Sequence, residues 1–314
     1  MSGSAGGSGV YADGSLWPRQ DRRMSFGLLL PMGEGSAHGA TPRFADLVAM
    51  TRAAEESGFS VAWFIDHFVF RMGGEEKGVW ECWTMMAGAA AMTERIGIGS
   101  LVACTGFRNA GVIAKMTEAI DEISGGRFIL GLGAGWHEPE YDMFGFPFDH
   151  RVTRFEEAVK VIYPLLRTGE ANVEGRFSTA IDAVNRPKAR PGGPPILVGS
   201  SGERMLRIIA RYADAWNTVW HSDPAPVADL MAQVDAACRE VGRDPGTLAR
   251  TAGANIALER PTGVRPDPIS GDDDEIAARL IAFRDIGITH FVCALDPCTP
   301  ESIRRFGRII ERVG

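Results

Sequence analysis

Residues 94–136 read ERIGIGSLVACTGFRNAGVIAKMTEAIDEISGGRFILGLGAGW. The apolar run Ile96–Val102 is followed by a segment whose apolar residues recur every three or four positions, then by Gly125-Gly126 and the apolar run Phe128–Leu132. Continuous apolar runs are typical of strands covered on both faces, and a period of three to four is typical of a helix. A strand, a helix and a second strand in this order predict a parallel pair joined by a crossover helix.

The same unit recurs on both sides of this stretch. The apolar runs of strand length are Phe26–Leu30, Val61–Ile65, Ile96–Val102, Phe128–Leu132, Ile196–Val198, Ala215–Val219, Ala254–Leu258 and His290–Ala294. Eight strand–helix units in about 290 residues predict the α/β class and a (β/α)8 TIM barrel, with a doubly wound open sheet as the alternative architecture.

Two stretches interrupt the rhythm of strands and helices. Residues 170–195 lack a helical period and contain Pro187, Pro191, Pro194 and Pro195, so they predict an insertion before the fifth strand that has room for a hairpin. Pro261–Ser270 is predicted to be a second loop. Because the rhythm resumes after each stretch, neither is interpreted as a linker between domains.

Composition excludes several classes of protein. Hydrophobic residues make up 45% of the chain and charged residues 23%, which is typical of a globular protein. The net charge of −7 argues against coating of nucleic acid, and no run approaches the roughly 20 apolar residues of a membrane span. The Gly/Ser-rich residues 1–23 are predicted to be a disordered N-terminal extension, and residues 24–314 a single barrel domain.

The cysteines and histidines do not form a recognisable disulfide or metal pattern. The five cysteines are scattered without a CxxC pair, which argues against a disulfide framework or zinc ribbon and predicts a reducing, cytoplasmic compartment. The six histidines are also scattered and no HExxH occurs, so no metal site is predicted.

In a TIM barrel the active site is built from the loops that follow the strands. Asp66-His67-Phe68 follows the second strand, where a histidine can exchange protons near neutral pH. The alternative is a histidine that is hydrogen-bonded into the loop with no chemical role. Cys104 follows the third strand; as a lone thiol without a recognised histidine partner it is a weak candidate for a nucleophile.

Small residues follow the fourth and fifth strands. The glycines of Gly131–Gly135 allow either close approach of a flat ligand or tight packing at the strand end, and their spacing is not that of a Rossmann fingerprint. Gly199–Arg204 opens a helix, so its free N–H groups, Ser200, Ser201 and Arg204 fit an anion such as phosphate, with an ordinary helix cap as the alternative.

Aromatic residues are abundant in these same loops. They are Phe68, Phe70, Trp80, Trp83, Phe107, Trp136, Phe144, Phe146, Phe148 and Trp220. A wide apolar mouth suits a flat cofactor together with an apolar substrate, although part of this set must belong to the core.

Taken together, these motifs resemble the bacterial-luciferase-like superfamily, and within it the branch of coenzyme F420-dependent oxidoreductases. The stretches that carry the resemblance are Phe26–Pro31, Ala53–Phe59, Trp63–Phe68, Glu81–Val102, Arg108–Arg127, Leu130–Phe148 and Pro194–Asn217. The resemblance implies a luciferase-like TIM barrel with an insertion before strand 5 and a flavin or deazaflavin ring over the barrel mouth. It also implies a bulge with a non-prolyl cis peptide at Leu101–Val102.

The resemblance assigns roles to individual positions. His67 is implied as the catalytic acid/base. The positions implied to hold the cofactor are Asp66, Leu101, Val102, Cys104, Asn109, Gly133, Ala134, Gly135, Gly199, Ser200, Ser201, Gly202 and Arg204. Those expected around the substrate are Phe68, Trp136, His137, Tyr141 and Trp220.

Three positions depart from the family pattern. Trp136 stands where sugar-phosphate dehydrogenases of the superfamily carry glutamate, which argues against a sugar-phosphate substrate. Cys104 replaces a cofactor-contacting threonine of some relatives, and Ala110 replaces a frequent proline.

Three functions follow from the resemblance. The favoured one is hydride transfer between coenzyme F420 and a small apolar organic substrate, with His67 moving the proton. The alternatives are the oxygenase half of an FMN-dependent two-component monooxygenase and a flavin-binding protein without turnover. A homodimer is expected, and a separate flavin or F420 reductase is a further candidate partner.

Overall fold

The computed structural model describes residues 24–37, 39–259 and 267–314. The strands in these ranges are β1 (Ser25–Leu29), β2 (Val61–Phe64), β3 (Val69–Met72), β4 (Glu75–Gly78), β5 (Gly97–Ser100), β6 (Ala103–Cys104), β7 (Phe128–Gly133), β8 (Glu170–Glu174), β9 (Thr179–Val184), β10 (Ile196–Gly199), β11 (Ala215–Val219), β12 (Ala249–Ala257), β13 (Ile269–Ser270) and β14 (His290–Asp296). The predicted N-terminal extension, residues 1–23, lies outside the described residues.

Helices alternate with the long strands. They are α1 (Phe44–Glu56), α2 (Cys82–Ala91), α3 (Ala110–Ile123), α4 (Glu138–Phe144), α5 (Arg151–Arg167), α6 (Glu203–Tyr212), α7 (Pro224–Glu240), α8 (Asp273–Asp285) and α9 (Pro300–Val313). Glycines with a left-handed backbone follow α1, α3 and α8, at Gly58, Gly125 and Gly287.

Eight parallel strands close into a barrel. Their order is β10, β11, β12, β14, β1, β2, β5 and β7, and β7 pairs back with β10. The predicted TIM barrel is therefore confirmed and the open-sheet alternative is wrong. Outward-facing residues such as Leu28 and Phe64 pack in the main core between barrel and helices, while Leu29, Val61 and Trp63 pack in a second core inside the barrel.

One barrel strand begins earlier than the sequence indicates. Strand β12 starts at Ala249, five residues before the predicted Ala254. The additional residues include Arg250 and Thr251, which are polar but buried. Their polar groups are satisfied inside the protein: the Arg250 guanidinium donates to Asp235, and the Thr251 hydroxyl donates to the Trp216 carbonyl.

Two hairpins leave the barrel. Strands β8 and β9 form the predicted insertion before the fifth barrel strand. Strands β3 and β4 form a second antiparallel hairpin that the sequence analysis missed. Its signal was the pair Gly73-Gly74, whose positive φ angles of 61° and 84° suit a two-residue hairpin turn. The predicted loop Pro261–Ser270 ends in the short strand β13, and residues 260–266 lie outside the described residues.

A hydrogen-bonded group of Trp63, His290 and Ser25 lies inside the barrel. The Trp63 indole Nε1 donates to His290 Nε2 at 3.0 Å, so Nε2 is unprotonated and the proton lies on Nδ1, 2.8 Å from the Ser25 hydroxyl. Burial lowers the pKa of His290 to about 3, so the imidazole is neutral near pH 7. Gly27 leaves the space for this pair, because a Cβ there would lie 2.2 Å from Trp63 Nε1 and 2.6 Å from His290 Nε2.

We expect Gly27→Ala to lower the free energy of unfolding by about 1–3 kcal/mol, because the added methyl overpacks a rigid interior. Gly33→Ala is the matched control, since a Cβ there makes only ordinary contacts at 3.6 Å or more. Urea denaturation of both variants measures the difference. Equal midpoints for the two variants would contradict the packing argument.

Candidate active site

The carboxyl end of β2 carries two of the predicted site residues, and they have different surroundings. Asp66 is buried and both of its carboxylate oxygens are occupied by protein groups. Arg108 donates to them at 2.7 and 3.0 Å, and the Cys104 N–H donates at 2.9 Å. A cofactor contact to Asp66 stays a prediction, and such a contact would compete with Arg108 and Cys104.

Arg108 joins three parts of the mouth. Besides Asp66, its guanidinium donates to Glu81 at 2.7 Å, and Glu81 also caps α2 by accepting from the N–H groups of Trp83 and Thr84. Its side chain is largely buried, near the rings of Phe68 and Trp83. The adjacent carboxylates raise the pKa of Arg108 despite its burial, so it stays charged. Sequence reasoning missed both Arg108 and Glu81 as site residues.

His67 is held by a residue that sequence reasoning also missed. Its Nδ1 lies 2.7 Å from Oε2 of Glu140 on α4. The other oxygen of Glu140 accepts from the N–H groups of Phe68 at 2.5 Å and Val69 at 3.0 Å. Burial alone would raise the pKa of the fully buried Glu140, but the hydrogen bonds from His67 and the two N–H groups outweigh it and lower that pKa. Glu140 is therefore an anion at neutral pH.

The predicted bulge at the end of the third barrel strand is confirmed. The peptide bond Leu101–Val102 is cis. Before the bulge Gly99 pairs with Ile129, and after it Ala103 pairs with Leu132, so one extra residue lies on the bulged side. The Ser100 hydroxyl bridges the interruption by donating to the Gly131 carbonyl and accepting from the Gly131 N–H.

The structure favours packing as the reason for the glycines in and directly after the fourth barrel strand, β7. A Cβ on Gly131 would lie 1.9 Å from the Ser100 carbonyl oxygen, and one on Gly133 would lie 2.6 Å from Val102 Cγ2. One on Gly135 would lie 1.9 Å from the Tyr141 hydroxyl. These glycines make room for the bulge and for Tyr141. Whether the Gly133–Gly135 backbone also contacts a cofactor stays a prediction.

Cys104 and Tyr141 form a buried pair beneath this loop. The Cys104 Sγ lies 2.9 Å from the Tyr141 hydroxyl, which also donates to the Ala134 carbonyl at 3.0 Å. Burial raises the pKa of Cys104 to about 11, which favours the thiol over the thiolate that a nucleophile requires. Tyr141 is only 1% exposed, so its side chain packs beneath the mouth instead of lining it as expected.

The predicted anion site lies at the start of α6. Gly202 is the N-cap residue without a capping side chain, and a Cβ on it would meet no atom within 4 Å. The backbone here is sterically accessible, and the Gly202 N–H donates to the Ser200 hydroxyl at 3.4 Å. Arg204, however, donates to Glu156 at 2.6 Å and to the Thr153 hydroxyl at 3.0 Å on α5. Its guanidinium therefore neutralises a protein carboxylate in this structure, and a role in phosphate binding stays a prediction.

The remaining predicted residues divide into caps and mouth residues. Asn109 caps α3 by accepting from the Gly111 and Val112 N–H groups. His137 is buried, and its Nε2 accepts from the Arg71 N–H at 3.0 Å; its expected place around the substrate stays a prediction. Trp136 and Trp220 are 58% and 51% exposed, and Trp220 follows β11 with a φ of +68°.

The described residues fit a flat, phosphate-bearing cofactor on three counts. The half-buried Leu101 and Val102 present an apolar shelf at the mouth, the α6 N-terminus is open, and exposed aromatic rings surround the mouth. Within the described ranges no three His, Cys, Asp or Glu residues group as metal ligands. The helices in the same ranges include none long and apolar enough to cross a membrane.

Comparison with known proteins identifies relatives over most of the chain. The family model described as luciferase-like monooxygenase matches residues 24–268. The pyrimidine monooxygenase RutA of Enterobacter cloacae is 31% identical over 243 residues, which are 71% of this chain and 65% of that protein. The chain thus matches about two thirds of the length of this curated relative.

Solved structures share the fold. An F420-dependent secondary alcohol dehydrogenase in complex with an F420-acetone adduct superposes with a TM-score of 0.78 at 19% identity, covering 93% of this chain and 100% of that one. EDTA monooxygenase from Chelativorans sp. BNC1 gives a TM-score of 0.77 at 15% identity, covering 93% and 92%. At these identities the likeness shows the fold alone.

We expect Arg108→Gln to destabilise the protein by about 3–5 kcal/mol, because it leaves the buried Asp66 carboxylate without its cation. The control is Arg95→Gln: Arg95 is exposed and lies 4.0 Å from Glu55, so its loss should cost only about 0–1 kcal/mol. Urea denaturation at pH 7 measures both. A loss for Arg108→Gln no larger than that of the control would contradict a structural role for the ion pair.

Proposed function

Because the chain belongs to the luciferase-like monooxygenase family, we propose that it is a flavin- or deazaflavin-dependent oxidoreductase in which His67 transfers the proton. The first candidate reaction is hydride transfer between coenzyme F420 and a small apolar alcohol, ketone or enone. Oxidation of an alcohol releases a hydride and a proton, so a group beside the cofactor must accept the proton. His67 is the candidate for that group.

The observation that carries the proposal is the way His67 is held at the mouth. It lies in the loop three residues beyond the end of β2, its Nδ1 faces Glu140, and its ring contacts Phe70 and Trp136. Its side chain is 16% exposed, so the ring is accessible from the mouth. An imidazole that is fixed by a hydrogen bond at Nδ1, and whose Nε2 is left for a substrate, is suited to general acid–base catalysis.

The same surroundings suggest where a cofactor would be held. The Leu101–Val102 shelf would support a flat ring, and the open backbone of Ser200–Gly202 at the start of α6 would bind its phosphate. A bound deazaflavin supplies a carbon that exchanges hydride, and a reduced flavin supplies reactivity toward oxygen as well. Exposed Trp136 and Trp220 favour a substrate with an apolar surface.

The second candidate is an FMN-dependent monooxygenase. The similarity to RutA, whose name describes a pyrimidine monooxygenase, favours it. The mouth residues described above would serve either cofactor. In this candidate a separate reductase would supply reduced FMN. In the first candidate a separate enzyme would reduce F420.

Titration with the two cofactors tests the choice. We expect F420 to bind more tightly than FMN under anaerobic conditions, as measured by absorbance and fluorescence. Reduced F420 should then be oxidised by members of a panel of enones and ketones without consumption of oxygen. Tighter FMN binding with substrate-dependent oxygen consumption would favour the monooxygenase, and absence of binding by both would contradict the proposal as a whole.

Replacement of His67 tests its role. His67→Ala should lower turnover by about 10²–10⁴-fold, the usual contribution of general acid–base catalysis, while cofactor affinity stays within a few-fold of wild type. His150→Asn is the control, because His150 is half exposed and contacts Asp149 and Phe177 instead of the mouth. Full turnover of His67→Ala at pH 6–8 would contradict the assignment, and His137 would then be the next residue to replace.

A further inference from the structure

We propose that Glu140 is the positioning residue of this site: its carboxylate fixes the Nδ1–H tautomer of His67, so that Nε2 exchanges the proton. The inference deepens the proposed function and rests on it. Nothing in the spacing of the sequence distinguishes Glu140 from its acidic neighbours Glu138 and Asp142, and only the fold selects it.

Glu140 is held so firmly that it can orient another side chain. Its side chain is fully buried, and Oε1 accepts from two consecutive backbone N–H groups, those of Phe68 and Val69. These N–H groups belong to the entry of the β3–β4 hairpin, which follows β2. Oε2 is thereby aimed at His67 Nδ1, 2.7 Å away. One carboxylate therefore sets both the path of the chain after β2 and the plane of the imidazole.

The chemistry of the pair determines the tautomer. An ionised carboxylate has no proton to donate, so the hydrogen between Oε2 and Nδ1 must belong to His67. Neutral His67 then carries its lone pair on Nε2, and protonated His67 forms an ion pair with Glu140. A carboxylate at this position thus supports both states through which an acid/base must pass.

The other charged groups near His67 do not replace Glu140. His137 comes from the loop before α4, with its ring centroid 6.4 Å from that of His67. Its pKa is lowered, chiefly by burial, and its Nε2 already accepts from the Arg71 N–H on β3. The Arg71 guanidinium is paired with Glu76 in the same hairpin. Of these groups, Glu140 is the one in hydrogen-bond contact with the His67 ring.

Glu140→Gln separates the orienting role from the structural one. The amide oxygen can still accept from the N–H groups of Phe68 and Val69, but the amide NH₂ facing Nδ1 is a donor. His67 must then present an unprotonated Nδ1 and carry its proton on Nε2. Glu55→Gln is the matched control, because Glu55 is also a buried carboxylate that accepts from backbone N–H groups, those of residues 94–96, away from the mouth.

The primary readout is ¹⁵N NMR of the imidazole rings, which reports tautomers without any substrate; the His67 signals are assigned by their loss in His67→Ala. We expect wild type and Glu55→Gln to show the Nδ1–H tautomer at His67, and Glu140→Gln to show Nε2–H. With a substrate from the enone panel, Glu140→Gln should lose about 10²–10⁴-fold in kcat, the scale of general acid–base catalysis, with KM within a few-fold.

The outcomes separate this inference from the proposed function. An Nε2–H tautomer in the wild type overturns the inference without any variant, so it stays testable even if Glu140→Gln fails to fold. An unchanged tautomer and kcat in Glu140→Gln also overturn it, whatever His67→Ala shows. If the tautomer switches but His67→Ala keeps full turnover, the catalytic role of His67 is wrong while the orienting contact stands.

Discussion

The buried ion pair between Asp66 and Arg108 organises the mouth of this barrel. Asp66 lies two residues beyond the end of β2, and Arg108 lies beyond the bulge that ends the third barrel strand, so this buried pair joins the loops that follow two neighbouring strands. Two charges in a low-dielectric site are stable only when their geometry and remaining hydrogen bonds are satisfied, and here Cys104 and Glu81 supply the remainder. The bulge is thus fixed from one side by charge and from the other by Val102 packed against Gly133.

Glu140 makes a second set of hydrogen bonds to the chain that follows β2. Asp66 and His67 are consecutive residues, but their side chains have different partners. Asp66 is directed to the bulge and His67 to α4. A single dipeptide therefore contacts the bulge through Asp66 and α4 through the His67 imidazole.

The sequence predicts the scaffold well because the scaffold depends on repeated, local patterns. Eight apolar runs with helices between them leave few topologies, and the left-handed glycines at Gly58, Gly125 and Gly287 mark helix ends in the sequence itself. The prediction of a bulge at Leu101–Val102 came from the family resemblance, because the residues themselves are typical of an ordinary apolar strand. The β3–β4 hairpin was missed because only Gly73-Gly74 marks it, between two short exposed strands.

The site was harder to predict because its partners are distant in sequence. Arg108 is 42 residues from Asp66, and Glu140 is 73 residues from His67. Residue type alone gives no reason to choose Glu140 over Glu138, or to expect that Arg204 would bind Glu156 in place of an anion. Motifs identify which loops meet at the mouth. Hydrogen-bond partners depend on how the helices and loops pack against one another, and the sequence alone does not give that packing.

We expect His67 Nε2 to face the reacting atoms of a substrate bound over the Leu101–Val102 shelf. A crystal structure with F420 and a ketone product bound together tests it most directly. Nε2 should lie about 2.6–3.2 Å from the product oxygen, with Nδ1 still hydrogen-bonded to Glu140. A product oxygen held by another group, with His67 Nε2 turned away from the ligand, would contradict it.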